Sequence, residues 1–309
     1  MPLPLSSAST IASYAIRPPN PSPAFLNIEL TQAIHRIHLI NAWGSAIDPS
    51  TRILEVGCGQ GTCTQALAEA IRPIPHEGDD KARSVGHITA IDPGSPDYGR
   101  PFTLSQAQSH LVSASSPIKD LVTFHHAEPI SFLESTQPTQ TWDVAILAHC
   151  IWYFPSAATL SAILTALRGR VSRVLIAEWA LHATEPKASA HVLAVLARAT
   201  FEAHRTESQE NVQTAMSPVA IKNAAEEAGW VVEREEVVVP ESGLDDGYWE
   251  TGTVVGEEFM EEVEKEVADE RVKAVLRSAR DATVAAAKAA GGAKKVRCMD
   301  VWVATLVAK

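Results

Sequence analysis

Three glycines at alternate positions, preceded by one acidic residue, form the clearest chemical pattern in this chain of 309 residues. The segment runs from Arg52 to Thr62 and reads Arg-Ile-Leu-Glu-Val-Gly-Cys-Gly-Gln-Gly-Thr. Gly57, Gly59 and Gly61 lack a Cβ, so each can take a left-handed backbone conformation or let a ligand approach the main chain closely. A helix predicted to begin at Thr62 would point its positive N-terminus at that ligand. The segment therefore predicts a cofactor-binding loop.

The glycine spacing distinguishes this loop from the dinucleotide-binding fingerprint G-x-G-x-x-G. Thr62 occupies the place of the third glycine of that fingerprint, and Gly61 comes one residue early. A Gly-x-Gly pair alone is also typical of an ordinary tight turn. With Glu55 two residues before the first glycine, the segment resembles the first motif of class I S-adenosylmethionine (SAM) dependent methyltransferases, Glu-x-Gly-x-Gly-x-Gly. The resemblance implies that SAM binds here and leaves as S-adenosylhomocysteine (SAH).

Strand and helix patterns alternate along the chain, which is typical of a parallel sheet with crossover helices. Strands are predicted near 52–56, 87–91, 121–125, 142–148, 173–178, 230–239 and 299–307. Helices are predicted near 62–71, 103–113, 129–134, 157–168, 184–203 and 217–228. Five strands followed by two late ones resemble the methyltransferase architecture. That resemblance implies an α/β, Rossmann-like sheet of seven mostly parallel strands, with an antiparallel last strand and helices on both faces.

The chain is predicted to form a single domain preceded by an arm. Residues 1–24 are rich in Ser and Pro and predict a flexible N-terminal arm. Residues 25–309 are predicted to be one methyltransferase domain. Its core spans about 50–239 and 298–309, and helical cap insertions are expected at 25–47, 184–215 and 240–297. The stretch 72–86 is predicted to be an exposed loop.

Asp92 directly follows the second predicted strand, where a carboxylate can accept hydrogen bonds from both hydroxyls of a ribose. The simpler alternative is an aspartate that caps the turn formed with Pro93. The resemblance implies the ribose role and also puts Cys58, Pro93 and Ala148 beside the cofactor.

The resemblance further implies that Glu128, after the third predicted strand, contacts the adenine, although the family more often has Asp there. The alternative for Glu128 is a carboxylate at a helix start.

The fourth predicted strand ends at Ala148 and runs into His149. The resemblance implies that this end faces the methyl group of SAM. His149 is therefore the candidate general base, because an imidazole with an unperturbed pKa of about 6.5 can accept a proton near neutrality. A role in shaping the pocket is the alternative. Four residues on the same rim are candidates for the acceptor pocket, with packing in the core as their alternative: Trp152, Tyr153, Glu178 and Trp179.

No metal site is expected from the sequence. His35 and His38 are spaced as half of a site on one helix face. No carboxylate or cysteine near them in sequence completes the set, so both are predicted to face solvent. The four cysteines, Cys58, Cys63, Cys150 and Cys298, form no Cys-x-x-Cys pair and suggest neither zinc nor a disulfide framework.

Charge and hydropathy limit the partners. The formal net charge of −11 argues against nucleic acid, for which a basic surface is expected. Neither a secretory leader nor a membrane-spanning stretch is predicted, so a soluble cytoplasmic protein is expected. The resemblance, which is to the UbiE-like group and its fungal members, implies a small-molecule methyl acceptor. Whether the chain forms a homodimer is left open.

Two other functions remain open at this point. One is an enzyme of another reaction type on the same fold, such as a cyclase. The other is a non-catalytic SAM-binding partner protein, for which the charged helix predicted within 257–280 would be the relevant surface. Both keep the fold, because a fold alone does not fix a function.

Overall fold

Seven strands form one sheet at the centre of the molecule. The structure is a computed structural model that describes residues 2–73, 85–205 and 210–309. The strands are β1 Arg52–Val56, β2 His87–Asp92, β3 Val122–His126, β4 Trp142–Ala148, β5 Val171–Trp179, β6 Trp230–Val238 and β7 Val301–Ala308. Their order is β3-β2-β1-β4-β5-β7-β6, and β7 is antiparallel to both β5 and β6, whereas the pairs among β1 to β5 are parallel. The predicted fold is confirmed.

Helices connect these strands and cover the sheet. The α-helices in the described ranges are α1 Ala8–Ala12, α2 Pro23–Ala42, α3 Thr62–Ala70, α4 Leu104–Leu111, α5 Pro129–Ser135, α6 Ala157–Ala166, α7 Ser189–Glu202, α8 Pro218–Glu227, α9 Asp246–Val255, α10 Glu257–Glu266 and α11 Glu270–Ala289. The predicted crossover helices start and end close to these positions. Most of the loop predicted at 72–86 lies outside the described residues, since 74–84 are not among them.

The middle of the sheet is apolar on both sides, as parallel strands between two helical layers require. In β1, Ile53, Leu54 and Val56 are buried, and β4 and β5 continue the same core. Glu55 is the one acidic residue of β1 and is buried with them. Because a buried carboxyl is costly unless it is paired or neutral, its position indicates a function or a specific partner.

The N-terminal arm predicted at 1–24 is wrong for its first part, which is helical and packed. In α1, Ile11 is 1% exposed and lies in the main core against α2 and α3. Tyr14 is also buried, and its hydroxyl donates to Glu69 Oε2 at 2.6 Å. Leu3 and Asn41 exchange two hydrogen bonds. The prolines that suggested an arm are concentrated after residue 17, whereas the earlier residues have an apolar face.

Helix α2 begins two residues earlier than the predicted 25 and ends at Ala42. Ser22 caps it, because its side chain accepts a hydrogen bond from Phe25 N, and Pro23 occupies the first turn. The helix packs against α1 and α3, and His35 on one of its faces contacts His149 at the carboxyl end of β4. This helix therefore brings side chains from before β1 to the candidate site.

Four helices from the two late cap insertions pack together: α7, α9, α10 and α11, hereafter the cap helices. They enclose a small apolar cluster that includes Phe201, Phe259 and Val263. The insertion at 240–297 was predicted to contain one charged helix, and the structure has three. Gly256 separates α9 from α10, and Asp269 starts α11 by accepting a hydrogen bond from Arg271 N. These breaks turn the segment back on itself and let its apolar faces meet.

Candidate active site

The loop after β1 passes through three glycines in the left-handed region. Gly57, Gly59 and Gly61 have φ angles of 71°, 53° and 87°. A Cβ on Gly57 would lie 2.5 Å from the Cβ of Cys150, and a Cβ on Gly61 would lie 2.5 Å from Cδ1 of Leu111. A Cβ on Gly59 would meet nothing within 4 Å. The loop is therefore packed against the protein at two glycines and open at the third, which fits a ligand lying on the backbone.

Asp92 connects the end of β2 to this loop. Its Oδ2 accepts a hydrogen bond from Gly59 N at 2.7 Å, and its Oδ1 accepts one from Gly94 N at 2.8 Å. The second contact is the turn cap that was the simpler alternative for this residue. Each carboxylate oxygen has a further lone pair, so the cap and a ribose contact are compatible. Asp92 therefore fits the ribose role without rearrangement of the turn.

Glu55 lies behind the loop and is 2% exposed. Its Oε2 accepts a hydrogen bond from Thr64 Oγ1 at 2.6 Å. Burial raises the pKa of Glu55 to about 8, against the lowering effect of that hydrogen bond. At neutral pH this carboxyl is mainly protonated, and a cationic group beside it would favour its ionised form. Glu55 therefore fits a ligand that carries a positive charge.

The ends of β2 and β3 lie side by side, because Ala127 N donates to Asp92 O at 3.1 Å. Glu128 follows directly and is exposed, and its side chain makes no cap hydrogen bond to α5. Pro93 is exposed, and its carbonyl oxygen lies 3.2 Å from His126 Nε2. The residues predicted to lie near the adenine therefore share one rim with Asp92.

His149 begins the loop after β4 in a left-handed conformation with φ of 53°. Such a φ is uncommon for a residue with a side chain. Its backbone N donates to Ala177 O at 2.8 Å, which holds it against β5. Beside it, the thiol of buried Cys150 donates to Val56 O, so this loop packs onto the glycine loop. The two loops bring His149 to the same end of the sheet as Gly57.

His149 lies in a buried cluster of polar rings and one carboxyl. Its Nε2 lies 3.0 Å from Nε2 of His35, and its Nδ1 lies 3.5 Å from Oε1 of Glu178. The indole of Trp179 covers both imidazoles, with ring centroids 4.4 Å from His149 and 6.0 Å from His35. His191 of α7 packs edge-on against the same indole at 5.2 Å. The cluster therefore joins α2, β4, β5 and one cap helix.

Burial displaces the pKa values of the titratable groups in this cluster towards their uncharged forms. Burial lowers the pKa of His35 and of His149 well below the ordinary 6.5, so both are uncharged near neutral pH. Burial also raises the pKa of Glu178 to about 7, while the backbone N–H groups of Trp179 and Ile151 favour its ionised form. A carboxyl and an imidazole 3.5 Å apart therefore both have a pKa displaced towards the uncharged form, which is typical of functional sites.

The aromatic residues of the rim differ in their surroundings. Trp152 is 3% exposed, and its indole donates to Met216 O at 3.0 Å, so its side chain is packed within the protein. Tyr153 is 45% exposed. Trp179 is buried, but its ring lies on the two histidines. Of the residues predicted for the acceptor pocket, Glu178 and Trp179 are therefore brought together with His149, whereas Trp152 packs in the main core.

Sequence reasoning missed several residues of this region. His35 was predicted to face solvent and is buried in the cluster; the neighbouring His38 lies further out, 3.3 Å from Glu241. Gln32 and Arg36 of α2, not considered from the sequence, have polar atoms that are buried without a hydrogen-bond partner. An acidic residue of α9, Asp246, receives a hydrogen bond from Gln32. The partners are distant in sequence, so local spacing carried no signal for them.

Two kinds of feature are absent from the described residues. These residues contain no group of three or more His, Cys, Asp or Glu side chains arranged to hold a metal ion. Among their helices, none is long and apolar enough to cross a membrane. An open groove of about 410 Å³ lies between α4 and β3, next to Gly94 and Gln108. None of the predicted site residues lines that groove.

Comparison with known protein-family models finds no match. Two curated relatives from Diaporthe leptostromiformis do match. Methyltransferase phomM is 34% identical over 288 residues, covering 82% of this chain and 72% of the relative, and methyltransferase phomM' is 33% identical with the same coverage. A solved structure from Lactobacillus casei, a cyclopropane-fatty-acyl-phospholipid synthase-like protein, is 25% identical and has a TM-score of 0.80, covering 98% of this chain and 99% of that one.

The sheet order and the glycine loop with Asp92 define an α/β protein built to hold a nucleoside-containing cofactor at the carboxyl ends of its strands. With the identity to two methyltransferases over most of their length, the assignment becomes specific. The chain belongs to the class I SAM-dependent methyltransferases.

Proposed function

We propose that this methyltransferase transfers the methyl group of SAM to a small-molecule acceptor, with acceptor chemistry at His149. The observation that carries this proposal is the buried cluster of His35, His149, Glu178 and Trp179 beside the glycine loop. The cluster is buried and includes His35 from α2, and His191 from α7 packs against its indole. The net charge of −11 supports a small molecule over a polyanion.

The cofactor is held by residues of the loops at the ends of β1 to β4. Gly57, Cys58, Gly59 and Gly61 supply the backbone surface, with Glu55 behind them and Asp92 for the ribose. Pro93 and Glu128 line the adenine side, and Ala148 lies towards the methyl group. The open space at Gly59 and the remaining lone pairs of Asp92 support this arrangement. When bound, SAM supplies an electrophilic methyl group on a sulfonium that is already a good leaving group.

His149 acts as the general base when the acceptor atom carries a proton. Its lowered pKa keeps it neutral, and its Nε2 lies within hydrogen-bond distance of His35 Nε2, whereas its buried Nδ1 has no hydrogen-bond partner among the described residues. If Nε2–H of His149 donates to Nε2 of His35, the lone pair on Nδ1 is free to take up the proton. The imidazolium formed in this way is stabilised by ionised Glu178, whose Oε1 lies 3.5 Å from Nδ1. The remaining contribution of the protein is orientation of the acceptor in line with the methyl group.

The cap helices and α2 close the acceptor pocket. Glu178 and Trp179 line its floor, and Tyr153 lies at its exposed edge; Trp152 supports the loop from beneath. His191 and Asp246 connect the pocket to α7 and α9. The proposal includes a methyltransferase core at about 50–239 and 298–309, to which the remaining helical segments add caps.

Further parts of the proposal concern setting and partners. We expect a cytoplasmic enzyme of small-molecule metabolism that needs no metal and acts on neither nucleic acid nor membranes. The four cysteines are free and buried, and burial raises the pKa of each thiol, which suits a reducing compartment. Whether two copies associate is left to a measurement of mass in solution.

A ring-forming SAM-dependent enzyme is the second candidate, because the structure with a TM-score of 0.80 is that of a cyclopropane-fatty-acyl-phospholipid synthase-like protein. Methyl transfer delivers an intact methyl group, whereas cyclopropane formation delivers a methylene. A methyl group labelled with deuterium therefore separates the two reactions. A non-catalytic SAM-binding partner protein would bind the cofactor and transfer no label.

The cofactor site is tested by substitution of Gly59 with arginine. The added side chain would fill the open space over the loop, so Gly59→Arg should abolish SAH binding measured by calorimetry. Gly169→Arg is the matched control, because Gly169 also has positive φ and open space at its Cβ but lies between α6 and β5. Tight SAH binding by Gly59→Arg, or its loss in both variants, would contradict the assigned site.

A further inference from the structure

Arg36 of α2 differs in its hydrogen bonds and ion pairs from the other buried or half-buried arginines of the described ranges. Every other arginine that is buried or half-buried in the described ranges has a side-chain hydrogen bond or ion pair, as Arg198 has with Glu250 and Arg205 with Glu202. Within those ranges Arg36 has neither, and its Nε is fully buried. A guanidinium presents five N–H donors in a planar fork. A buried donor without an acceptor is unfavourable, so the guanidinium of Arg36 has hydrogen-bonding capacity left for a ligand.

The carboxyls around Arg36 are committed to other groups. Glu55 receives a hydrogen bond from Thr64, Glu178 from backbone N–H groups, and Asp246 from Gln32. Burial raises the pKa of all three carboxyls, and the charge of Arg36 opposes that rise without forming an ion pair with any of them. These carboxyls belong to β1, β5 and α9, so Arg36 lies where the cofactor side and the acceptor side of the site meet.

Gln32, one helical turn before Arg36, presents the complementary group. Its amide N–H donates to Asp246 Oδ2 at 2.9 Å, but its carbonyl oxygen Oε1 is buried without a donor. Residues four apart on a helix lie on the same face. This face of α2 therefore offers an unused acceptor and an unused cationic donor side by side.

We propose that Gln32 and Arg36 form a receptor for the α-amino carboxylate group of a bound ligand, with the guanidinium of Arg36 on the carboxylate and the carbonyl of Gln32 on the ammonium. One α-carbon carries both charges, which matches two complementary groups one helical turn apart. The planar guanidinium suits a carboxylate, which it can bind through two parallel hydrogen bonds. This inference rests on the proposed function.

Two ligands could bring this group. The methionyl end of SAM is one, since Glu55 and the glycine loop lie within electrostatic reach of Arg36. An acceptor that is itself an amino acid is the other, since His149 and Glu178 are also within that reach. Substitution of Arg36 weakens cofactor binding only if the group belongs to SAM, so the experiment separates the two ligands.

The test compares SAH with S-adenosyl-3-thiopropylamine, which has the same structure without the carboxylate. Calorimetry is performed on the wild type, Arg36→Gln, Arg36→Lys and the control His38→Asn, which changes the outer side of the same helix. If the receptor serves the cofactor, Arg36→Gln weakens SAH roughly 10- to 100-fold and leaves the decarboxylated compound unchanged. Arg36→Lys should recover part of the loss, and His38→Asn should bind both compounds normally.

The second arm applies when SAH binds Arg36→Gln as well as the wild type. The SAH complexes are then screened with the free protein amino acids by ligand-observed NMR. Binding to the wild type and loss in Arg36→Gln would assign the receptor to the acceptor. Equal weakening of both adenosyl compounds, or no amino-acid binding to the wild type in the second arm, would overturn the inference. A wild type that binds no SAH would instead refute the proposed cofactor site.

Discussion

Glu55 shows at the scale of one residue how the fold prepares a charge for its ligand. It lies in an otherwise apolar strand, and burial raises its pKa to about 8. In the proposed function, a cationic cofactor beside this carboxyl would stabilise its ionised form and offset the cost of its burial. The spacing of Glu55 from the glycines made it recognisable in the sequence, whereas its protonation follows only from its burial.

This protonation predicts a pH dependence of stability. With a pKa of 4.5 in the unfolded chain and about 8 in the folded one, Glu55 keeps a proton in the fold that the unfolded chain has lost. Its contribution to stability is therefore present at low pH and declines as the pH rises towards 8. Glu55→Gln should gain about 1–3 kcal/mol relative to wild type between about pH 6 and pH 8. Urea unfolding without cofactor measures it, and a constant difference would contradict the buried, protonated state.

His149→Asn tests the base. Asparagine tolerates the left-handed backbone at this position and keeps hydrogen-bonding capacity, but it cannot take up a proton near neutrality. Turnover of a protonated acceptor should fall roughly 100-fold while SAH affinity stays the same. His204→Asn, an exposed histidine beyond α7, serves as the control. Undiminished turnover in His149→Asn would remove it as the base.

The candidate cofactor residues could be predicted from local spacing, because Glu55, the three glycines and Asp92 each lie at or next to the end of a strand. The partners of His149 had no such signal. His35 is 114 positions away and Glu178 is 29 positions away along the chain, and His35 lies on a helix whose pattern suggested an exposed histidine pair. Only the packing of α2 over the strand ends brings them together, which requires the tertiary structure.

At the scale of elements, the N-terminal segment is the main departure from expectation. Its proline-rich part misled the prediction, since the residues before it place Ala8, Ile11 and Ala12 on one buried face. The segment closes over α2 and α3, the two helices that flank the cofactor loop on one side. We therefore regard it as part of the folded unit.

Ile11→Ala tests that conclusion. The side chain is 1% exposed and belongs to the main core, so its truncation should lower the free energy of unfolding by about 2–4 kcal/mol. Ser9→Ala, on the exposed side of the same helix, should change it by less than about 0.5 kcal/mol. Chemical denaturation measures both. An Ile11→Ala variant as stable as the wild type would show that the segment behaves as an arm.

At the scale of the whole molecule, the alternation of strands and helices was sufficient to predict a parallel sheet, and the resemblance to class I methyltransferases supplied its antiparallel last strand. The alternation was not sufficient for the cap helices, since their contacts join 189–202 to 246–289 across one intervening helix and one intervening strand, α8 and β6. We propose that acceptor specificity resides in this less predictable part, the cap helices.

The transfer of a deuterium-labelled methyl group tests the central claim most directly. The protein is incubated with SAM carrying a trideuterated methyl group and a metabolite extract, and the products are analysed by mass spectrometry. We predict a small molecule that retains all three deuterium atoms in the wild-type reaction and is absent with Gly59→Arg. A product that retains only two deuterium atoms, or SAH binding without any labelled product across the extract, would contradict methyl transfer to a small molecule.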